Sequence, residues 1–257
     1  MIVTTSYFPS SELLAKAHKL AKELGWRFVP RYRESMESLR VKHNCEQILL
    51  VGRDQLQCFV GDAPPIYFHP SMAQIRVKRL MHDEQDGLVT AAGVEPGDQV
   101  LDCTAGLAAD SVVLSYAVGV TGSVVALDSQ LVICMLLAEG LQHYSSEVKA
   151  LEDAMRRVEI KCSEHLTYLQ QQPDKSVDII YFDPMFRRPI EESSSISPLR
   201  QVANPDALTL EAVAEAKRVA RKRVVMKEVF YSGEFARLGF TTVHRSGSKL
   251  AYGVITC

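Results

Sequence analysis

The chain has 257 residues, with 29 lysines and arginines against 31 aspartates and glutamates, and a formal net charge of -2. This length suits one large domain, or a large domain and a small one, and the near-neutral charge excludes a polycation that coats nucleic acid nonspecifically. No stretch reaches the roughly 20 consecutive apolar residues of a membrane-spanning helix, and MIVTTSYFPS lacks the charged-then-apolar order of a signal peptide. We therefore expect a cytoplasmic protein.

The six cysteines predict neither a zinc site nor a redox pair, because the sequence contains no CxxC pair and no Cys/His spacing. We expect buried, reduced thiols. They stand at Cys45, Cys58, Cys103, Cys134, Cys162 and Cys257.

Residues 1–66 predict a small α/β domain. The apolar positions Leu13, Ala17 and Leu20 fall on one face of a helix that Gly25 can end. Two prolines at 64–65 then mark a boundary. Strands are predicted at 2–5, 26–30, 47–51 and 57–60, and helices at about 11–24 and 34–43.

Residues 67–257 predict a doubly wound α/β domain, because apolar strands alternate with helices after a largely helical segment at 71–93. The last two strands are separated only by 246–249, which predicts an antiparallel hairpin at one edge of the sheet, and 191–198 reads as a loop. Strands are predicted at 99–103, 123–127, 158–162, 177–182, 223–227, 241–245 and 251–256. Helices are predicted near 109–118, 129–142, 148–156, 164–170 and 208–222.

The first chemical signal is the strand at 99–103, which runs directly into a turn of small residues. Ligands of open α/β sheets bind at such carboxyl ends of strands, so Asp102, Thr104 and Gly106 are candidate cofactor-binding residues. Gly106 stands without the further glycines of a GxGxxG loop. A dinucleotide cofactor is therefore disfavoured.

The second signal is Asp128, which follows the strand at 123–127 and lies 128 minus 102, or 26, residues beyond Asp102. An acid about 20 residues beyond the first strand reaches the ribose hydroxyls in nucleoside-binding folds. Alternatively, Asp128 caps the following helix. Asp102 could likewise form only a turn, and Asp110 could be an acid favoured by the helix dipole. The sequence leaves these alternatives open.

The third signal is an apolar strand at 177–182 that ends in Asp183-Pro184-Met185-Phe186. An exocyclic amine must have its hydrogens held while its lone pair points at a methyl donor. A carboxylate and the proline carbonyl can accept those hydrogens, and an aromatic ring can stack on the base. The run resembles the (Asp/Asn/Ser)-Pro-Pro-(Tyr/Phe) motif of amino-group methyltransferases, so Asp183, Pro184 and Phe186 are predicted to be catalytic. A plain turn with Phe186 in the core is the alternative.

Taken together and in this order, the three strand ends resemble class I S-adenosylmethionine-dependent methyltransferases, and more narrowly the small-subunit ribosomal RNA guanine-N2 methyltransferase family of the RsmJ type. The resemblance runs over nearly the whole chain, through CFVGD, VLDCTAGLAAD, FDPMF and KRVVMK. It implies a Rossmann-like seven-stranded sheet, S-adenosylmethionine as cofactor, and ribosomal RNA or the small ribosomal subunit as partner. Carried over by position, it implies a methyl-donor site at Ala109, Asp110, Asp128, Ser129, Ser163, Glu164 and Asp183.

The chain departs from this family at several positions, which marks a divergent branch. It has Ala-Ala-Asp at 108–110 where the family usually has Gly-Arg-Asp, and Asp-Ser at 128–129 where the family has Glu-Arg. The acids remain, so the donor site keeps its chemistry. Around the acceptor, Arg-Arg-Pro follows at 187–189, and Lys227 precedes Glu228 where a second basic residue is typical.

Basic residues suggest how RNA could be bound. Arg187 and Arg188 lie beside the proposed chemistry and could contact phosphates, and with Phe186 and Lys227 they form the predicted substrate-binding set. Basic residues also gather at 76–79 and at 217–223, where the spacing also suits a solvated helix face.

The sequence predicts direct methyl transfer to an exocyclic amine, guanine N2 of small-subunit ribosomal RNA, catalysed by in-line positioning in a dry pocket. Two rival functions stay open. One is a methyltransferase acting on a small-molecule or protein amine. The other is a noncatalytic RNA-binding or assembly protein that retains the fold.

Overall fold

The computed structural model describes residues 1–184, 202, 204, 206–245 and 249–257. Its first part is a four-stranded sheet in the order β2-β1-β3-β4, in which β1 is parallel to β2 and β3, and β3 is antiparallel to β4. The elements are β1 (Ile2–Thr5), α1 (Ser11–Leu24), β2 (Arg27–Phe28), α2 (Met36–His43), β3 (Gln47–Val51) and β4 (Leu56–Val60).

The helix α1 shows how local sequence sets these boundaries. The Ser10 hydroxyl accepts a hydrogen bond from the Leu13 amide at 3.2 Å, which satisfies one of the free donors at the helix start. Gly25 ends the helix with a left-handed backbone, at φ 66°. The helix buries Ala17 and Ala21, the small residues of its apolar face.

A seven-stranded sheet forms the second part, in the order β10-β11-β9-β8-β5-β6-β7. Strands β7, β6, β5, β8 and β9 are parallel, and β11 and β10 add an antiparallel edge. The predicted doubly wound sheet and its terminal hairpin are confirmed. The elements are α3 (Ser71–Met81), α4 (Gly87–Ala92), β5 (Gln99–Asp102), α5 (Ala109–Val118), β6 (Ser123–Asp128), α6 (Leu131–His143), α7 (Lys149–Arg157), β7 (Val158–Cys162), α8 (His165–Gln170), β8 (Val177–Phe182), α9 (Leu210–Val219), β9 (Ala220–Val229), α10 (Glu234–Leu238), β10 (Thr242–Arg245) and β11 (Leu250–Thr256).

The strand order places a topological switch between β5 and β8. From β5 the chain proceeds outward through β6 and β7, and then returns to β8 on the other side of β5. Ligands of open α/β sheets bind in the crevice at the carboxyl ends of the strands beside such a switch. The fold therefore directs attention to the residues that follow β5, β6 and β8.

Two predicted helices differ from the structure. The segment predicted to be largely helical at 71–93 forms two helices, because Asp86 caps a new one by accepting hydrogen bonds from the Leu88 and Val89 amides. The helix predicted to reach residue 222 ends at Val219, where β9 begins.

The early start of β9 has a tertiary cause. Its charged residues look like a helix face in sequence, but the sheet gives them partners on neighbouring segments. Arg221 pairs with Asp178 at 3.0 Å, and Lys222 binds Asp98 at 2.7 Å. Such partners override local helix propensity.

The two sheets share one hydrophobic cluster. Leu49 and Val51 of β3 belong to the same buried group as Val113 of α5 and Leu136 of α6. Just ahead of the predicted boundary, Cys58 and Ile66 exchange two amide–carbonyl hydrogen bonds of 2.8 Å, which join residue 66 to β4. The division at residue 66 remains a prediction.

Among the helices of the described residues, none has the length and apolar character that crossing a membrane requires. All six cysteines are free thiols; Cys162 and Cys257 are exposed, and the other four are buried as expected. Cys162 ends the edge strand β7, and Cys257 follows the strand β11, so few neighbouring residues cover these two thiols.

Candidate active site

The three predicted strand ends meet at one edge of the large sheet. In the pairing register, Asp102 of β5 lies opposite Ala126 of β6 and Tyr181 of β8, so the segments after these strands are neighbours. They border a cleft that is open to solvent. Its lining residues are Cys103, Thr104, Gly106, Leu127, Asp128, Ser129, Ser163, His165, Asp183, Pro184, Asn204, Asp206 and Leu208.

Asp102 lies beneath the turn that follows β5. Its carboxylate accepts hydrogen bonds from the Thr104 amide at 3.0 Å and from the Ser111 hydroxyl at 2.6 Å. Only 1% of the residue is exposed, and burial raises its pKa to about 7. Asp102 therefore holds the turn against α5 and does not line the cleft.

Asp128 does line the cleft, at the end of β6. Its carboxylate accepts a hydrogen bond from the Gln130 amide at 2.8 Å. Burial raises the pKa of Asp128 to about 6, although the backbone N–H groups of Gln130 and Gly106 oppose the shift. The N-cap of α6 is Gln130, and the Asp128 carboxylate binds the backbone of the turn directly ahead of this helix.

Asp183 forms the opposite side of the cleft, directly after β8. Its backbone N–H donates to the Thr104 hydroxyl at 2.5 Å, which joins the turn after β8 to the turn after β5. Its carboxylate accepts a hydrogen bond from the Lys227 ammonium at 2.7 Å, and 25% of the side chain is exposed. Burial raises the pKa of Asp183, Lys227 lowers it and the nearby Asp110 adds to the increase. The carboxylate is thus anchored and still accessible from the cleft.

A chain of charged side chains extends from Asp183 into the protein. Lys227 also donates to Asp110 at 3.0 Å, and Asp110 accepts further hydrogen bonds from Arg76 and from the Tyr181 hydroxyl, the latter at 2.8 Å. Arg76 in turn binds both carboxylate oxygens of Asp86, at 2.7 and 2.9 Å. We call Arg76, Asp86, Asp110, Lys227 and Asp183 the charge chain.

The cations of the charge chain hold Asp86 and Asp110 ionised despite their burial. Burial alone would raise the pKa of Asp110, but Lys227 and Arg76 together outweigh it and hold this pKa well below its usual range. Burial likewise disfavours the charge of Lys227, yet Asp110 and Asp183 raise its pKa above the ordinary value. Two cations thus face three carboxylates.

The structure brings together most of the predicted cofactor-binding residues. Thr104, Gly106, Asp128, Ser129, Ser163 and Asp183 line the cleft, together with the predicted catalytic Pro184. Asp102, Ala109, Asp110, Glu164 and Lys227 are absent from the cleft lining. Glu164 caps α8 by accepting hydrogen bonds from the Leu166 and Thr167 amides. Phe186, Arg187 and Arg188, like the loop predicted at 191–198, lie outside the described residues.

Sequence reasoning missed several residues of this region. Arg76 belongs to the basic cluster at 76–79 in the sequence, but only 15% of its side chain is exposed and it is part of the charge chain. Tyr181 was read only as part of an apolar strand, although its hydroxyl binds Asp110. His165, Asn204 and Asp206 line the cleft without any sequence signal. The hydroxyl of Tyr181, a polar atom in an otherwise apolar strand, was the sequence feature that could have indicated a buried hydrogen bond.

The basic run at 217–223 is engaged within the protein. Arg218 donates to the carbonyls of Leu169 and Gln172 and pairs with Glu215 and Asp174. These contacts hold the end of α9 against α8. The described part of the chain contains no group of three or more histidine, cysteine or acidic side chains that could hold a metal ion.

Comparison with known proteins identifies the family. The family model described as "Putative SAM-dependent methyltransferase" matches residues 33–238. The chain belongs to this family. S-adenosylmethionine is therefore its cofactor, and the protein is an S-adenosylmethionine-dependent methyltransferase.

This methyltransferase is similar to several curated proteins. It is 38% identical over 254 residues to the uncharacterized protein YpiP of Bacillus subtilis, covering 99% of this chain and 98% of that protein. It is 26% identical over 209 residues to ribosomal RNA small subunit methyltransferase J of Acinetobacter baylyi, covering 79% of this chain and 74% of that one. A protein of the same name from Buchnera aphidicola is 32% identical over 138 residues, which is 52% of this chain and 53% of the relative. The latter match spans about half of each protein.

A solved structure agrees with the fold. The S-adenosylmethionine-dependent methyltransferase NGO1261 from Neisseria gonorrhoeae superposes with a TM-score of 0.59 at 17% sequence identity, covering 100% of this chain and 96% of that one. At this identity the similarity concerns the fold alone.

The cleft of the methyltransferase has the chemistry that its cofactor needs. The Asp128 carboxylate stands at the end of β6, where a ribose hydroxyl pair can donate to it. The hydroxyls of Ser129 and Ser163 add polar partners beside the apolar side chains of Leu127 and Leu208. An apolar lining with a few polar groups is typical of small-molecule sites.

Proposed function

We propose that the protein transfers the methyl group of S-adenosylmethionine to an exocyclic amine, guanine N2 of small-subunit ribosomal RNA. One observation carries this proposal. Asp183 and Pro184, of the motif suited to an acceptor amine, line the same cleft as Asp128, which suits the ribose of the donor. Donor and acceptor therefore bind within reach of one another.

The donor is held by the residues after β5, β6 and β7. Asp128 accepts hydrogen bonds from the ribose hydroxyls, and Thr104 and Gly106 contact the donor from the turn after β5. Ser129 and Ser163 complete this side of the cleft. When bound, S-adenosylmethionine supplies an electrophilic methyl group on a sulfonium centre.

The acceptor amine is held by Asp183 and Pro184. The Asp183 carboxylate and the Pro184 carbonyl accept its two hydrogens, which leaves the nitrogen lone pair free to attack. Lys227 fixes the orientation of the carboxylate through its 2.7 Å hydrogen bond. Because burial raises the pKa of Asp183, this carboxylate is a better proton acceptor than an exposed aspartate and can hold the proton that the methylated amine loses.

The choice of ribosomal RNA is supported by the relatives. Two similar proteins carry the name ribosomal RNA small subunit methyltransferase J, and one of them is matched over 79% of this chain. Arg187 and Arg188, which follow the acceptor motif, supply charge for phosphate contacts. Phe186 supplies a ring on which a base can stack.

Replacement of Asp183 tests the acceptor site. We expect Asp183→Ala to bind S-adenosylmethionine within a few-fold of wild type but to transfer methyl groups at least about a hundredfold more slowly, because Asp183 contacts the reacting amine. Asp153→Ala, a half-exposed aspartate on α7, serves as the control. The assay uses small ribosomal subunits and extracted ribosomal RNA, with mass spectrometry of the nucleosides. Loss of donor affinity with normal turnover at saturation would assign Asp183 to the donor instead.

The same assay separates the rival functions. Methylation of guanine N2 in ribosomal RNA by the wild type, absent with Asp183→Ala, supports the proposal. Methylation of a small-molecule or protein amine without methylation of RNA contradicts it. RNA binding without turnover on any amine shows a noncatalytic RNA-binding protein.

A further inference from the structure

A second groove lies at the four-stranded sheet, and its residues are distant in sequence from the active-site motifs. It is formed by the two segments that follow β1 and β2, residues 6–10 and 29–34, and it has a volume of about 680 Å³. Its lining residues are Thr5, Ser6, Phe8, Pro9, Leu14, Pro30, Arg31, Tyr32 and Arg33. We call it the N-terminal groove.

Two aromatic rings of the N-terminal groove are held out in solvent. Phe8 is 74% exposed and Tyr32 is 77% exposed. Burial of such a ring removes 150 to 250 Å² of surface, roughly, from water. Because the Phe8 and Tyr32 rings stay in solvent, folding gains almost no hydrophobic stabilisation from them, and they contribute little to the core.

Both rings stand on strained backbone. Phe8 has φ 52° and Tyr32 has φ 48°, in the left-handed region that residues with a Cβ disfavour. Non-glycine residues keep such conformations where the surrounding structure enforces them, and they concentrate at binding sites and active sites. Each of the two loops thus adopts an unfavourable backbone conformation at the residue whose aromatic ring is exposed.

Arginines accompany the aromatic rings. The Arg31 guanidinium lies 4.1 Å from the centre of the Tyr7 ring and donates to the Glu34 carbonyl at 3.0 Å, which fixes its position. The Arg33 guanidinium lies 5.8 Å from the centre of the Phe8 ring, and no acid pairs with it among the described residues. The lining given above includes two arginines and no acid, so the groove attracts anions.

A buried hydroxyl at the groove adds an unused polar group. Ser6 Oγ is inaccessible and has no hydrogen-bond partner among the described residues. A buried polar group without a partner is unfavourable for folding.

We propose that the N-terminal groove binds single-stranded RNA, with unpaired bases stacked on Phe8 and Tyr32 and phosphates held by Arg31 and Arg33; the choice of RNA rests on the proposed function. Exposed aromatic rings beside arginines that no described acid pairs with are the chemistry that binds single strands, because every base has a face to stack and every phosphate link carries a negative charge. A duplex keeps its base faces covered and does not fit. The groove thus gives the methyltransferase a second contact with its substrate.

Fluorescence anisotropy of labelled single-stranded oligouridine and oligoadenosine RNA tests this binding. We expect Phe8→Ala and Tyr32→Ala each to weaken binding about tenfold, since stacking is worth about 1 to 3 kcal/mol per base and 1.4 kcal/mol is tenfold. Arg33→Gln should weaken binding and reduce its dependence on salt. The matched controls are Tyr67→Ala, a partly exposed ring outside the groove, and Arg27→Gln, which begins β2. Neither control should change the affinity.

Phe8→Gly separates binding from folding. Glycine adopts the left-handed backbone without strain, so this variant should melt no lower than wild type while it binds RNA as weakly as Phe8→Ala. A large loss of melting temperature would show that the ring supports the fold and would overturn the inference. Calorimetry with S-adenosylmethionine should give wild-type affinity for every groove variant.

The outcomes distinguish the groove from the methyltransferase activity. If the wild type binds and methylates RNA but the groove variants bind it normally, the groove inference fails and the proposed function stands. If the wild type methylates ribosomal RNA but binds neither oligouridine nor oligoadenosine, the groove inference fails alone, and if it neither binds nor methylates RNA, both fail. If the groove variants lose self-association instead of RNA affinity, measured by sedimentation, the groove is an interface between copies of this chain and the inference is overturned.

Discussion

At the scale of single residues, two aspartates at the ends of neighbouring strands have different surroundings. Asp102 is enclosed and its hydrogen-bond donors belong to the turn and helix that follow it. Asp128 faces the cleft, and burial raises its pKa only to about 6. At neutral pH Asp128 is therefore mostly ionised and suited to a ligand, whereas Asp102 organises the backbone beneath that ligand.

Asp128→Ala should weaken S-adenosylmethionine binding by about 1.5 to 3 kcal/mol, because it removes a charge-assisted acceptor of the ribose hydroxyls. Isothermal titration calorimetry with S-adenosylmethionine and with its demethylated product measures this loss. Asp153→Ala, whose partner is Lys149 on the surface of α7, should bind both ligands normally. Unchanged affinity in Asp128→Ala would remove this residue from the donor site.

Asp102 should make stability fall as pH rises. Its folded pKa of about 7 exceeds the unfolded value of about 3.9, so the folded state keeps its proton to higher pH. The stabilisation is complete below about pH 4 and is lost as pH rises through about 7, by roughly 2 to 3 kcal/mol between about pH 5 and pH 8. The Asp102→Asn variant has no titratable group at this position, so its free energy of unfolding should lack this pH-dependent contribution. Urea unfolding across this pH range compares the two; parallel curves would contradict the prediction.

At the scale of elements, the charge chain connects segments that are far apart in sequence. Arg76 on α3 reaches Asp86, the cap of α4, and Asp110 in the first turn of α5. Lys227 on β9 then joins Asp110 to Asp183 after β8. The helix α3, which precedes the large sheet in the chain, is thereby coupled to Asp183 in the lining of the cleft.

Arg76→Met should destabilise the fold by about 3 to 5 kcal/mol, because it leaves Asp86 and Asp110 buried without their shared cation. Arg76→Lys should recover only part of this loss, since one ammonium cannot reproduce a guanidinium bound to both carboxylates. Lys78→Met, an exposed position on the same helix, serves as the control. Urea denaturation gives the free energies, and equal effects of Arg76→Met and Lys78→Met would refute the role of the charge chain.

At the scale of the whole molecule, the two sheets are packed against each other through α6. Phe68, 3% exposed, lies over Gly140 in the middle of that helix. A Cβ at Gly140 would lie 2.2 Å from the Phe68 side chain, which explains why a residue of poor helix propensity occupies this position. The shared cluster implies that the sheets unfold together.

Gly140→Ala should therefore destabilise the protein by about 1 to 3 kcal/mol, although alanine favours helix by about 1 kcal/mol. Adding Phe68→Leu should recover part of the loss. Fluorescence of Trp26, the single tryptophan, reports on the small sheet, and circular dichroism reports on the whole chain. We expect coincident transitions by both probes. Two separated transitions, or a stabilised Gly140→Ala, would contradict this packing.

The sequence by itself determined the order and type of most elements, because apolar periodicity, capping residues and turn residues act over short distances. The α1 boundaries, the strand at 47–51 and the helix at 109–118 follow from such local signals. The same signals located the three strand ends, since parallel strands bring their carboxyl ends to one edge whatever the side chains between them.

Only the tertiary structure decided which of the acids at those ends face the cleft. Asp102 and Asp128 look equivalent in sequence, but one is enclosed by α5 and the other is open to the cleft. The partners of Arg76 lie 10 and 34 residues away, and those of Lys227 lie 117 and 44 residues away. Burial and ion pairing depend on which distant segments come into contact, and no local sequence pattern specifies those contacts.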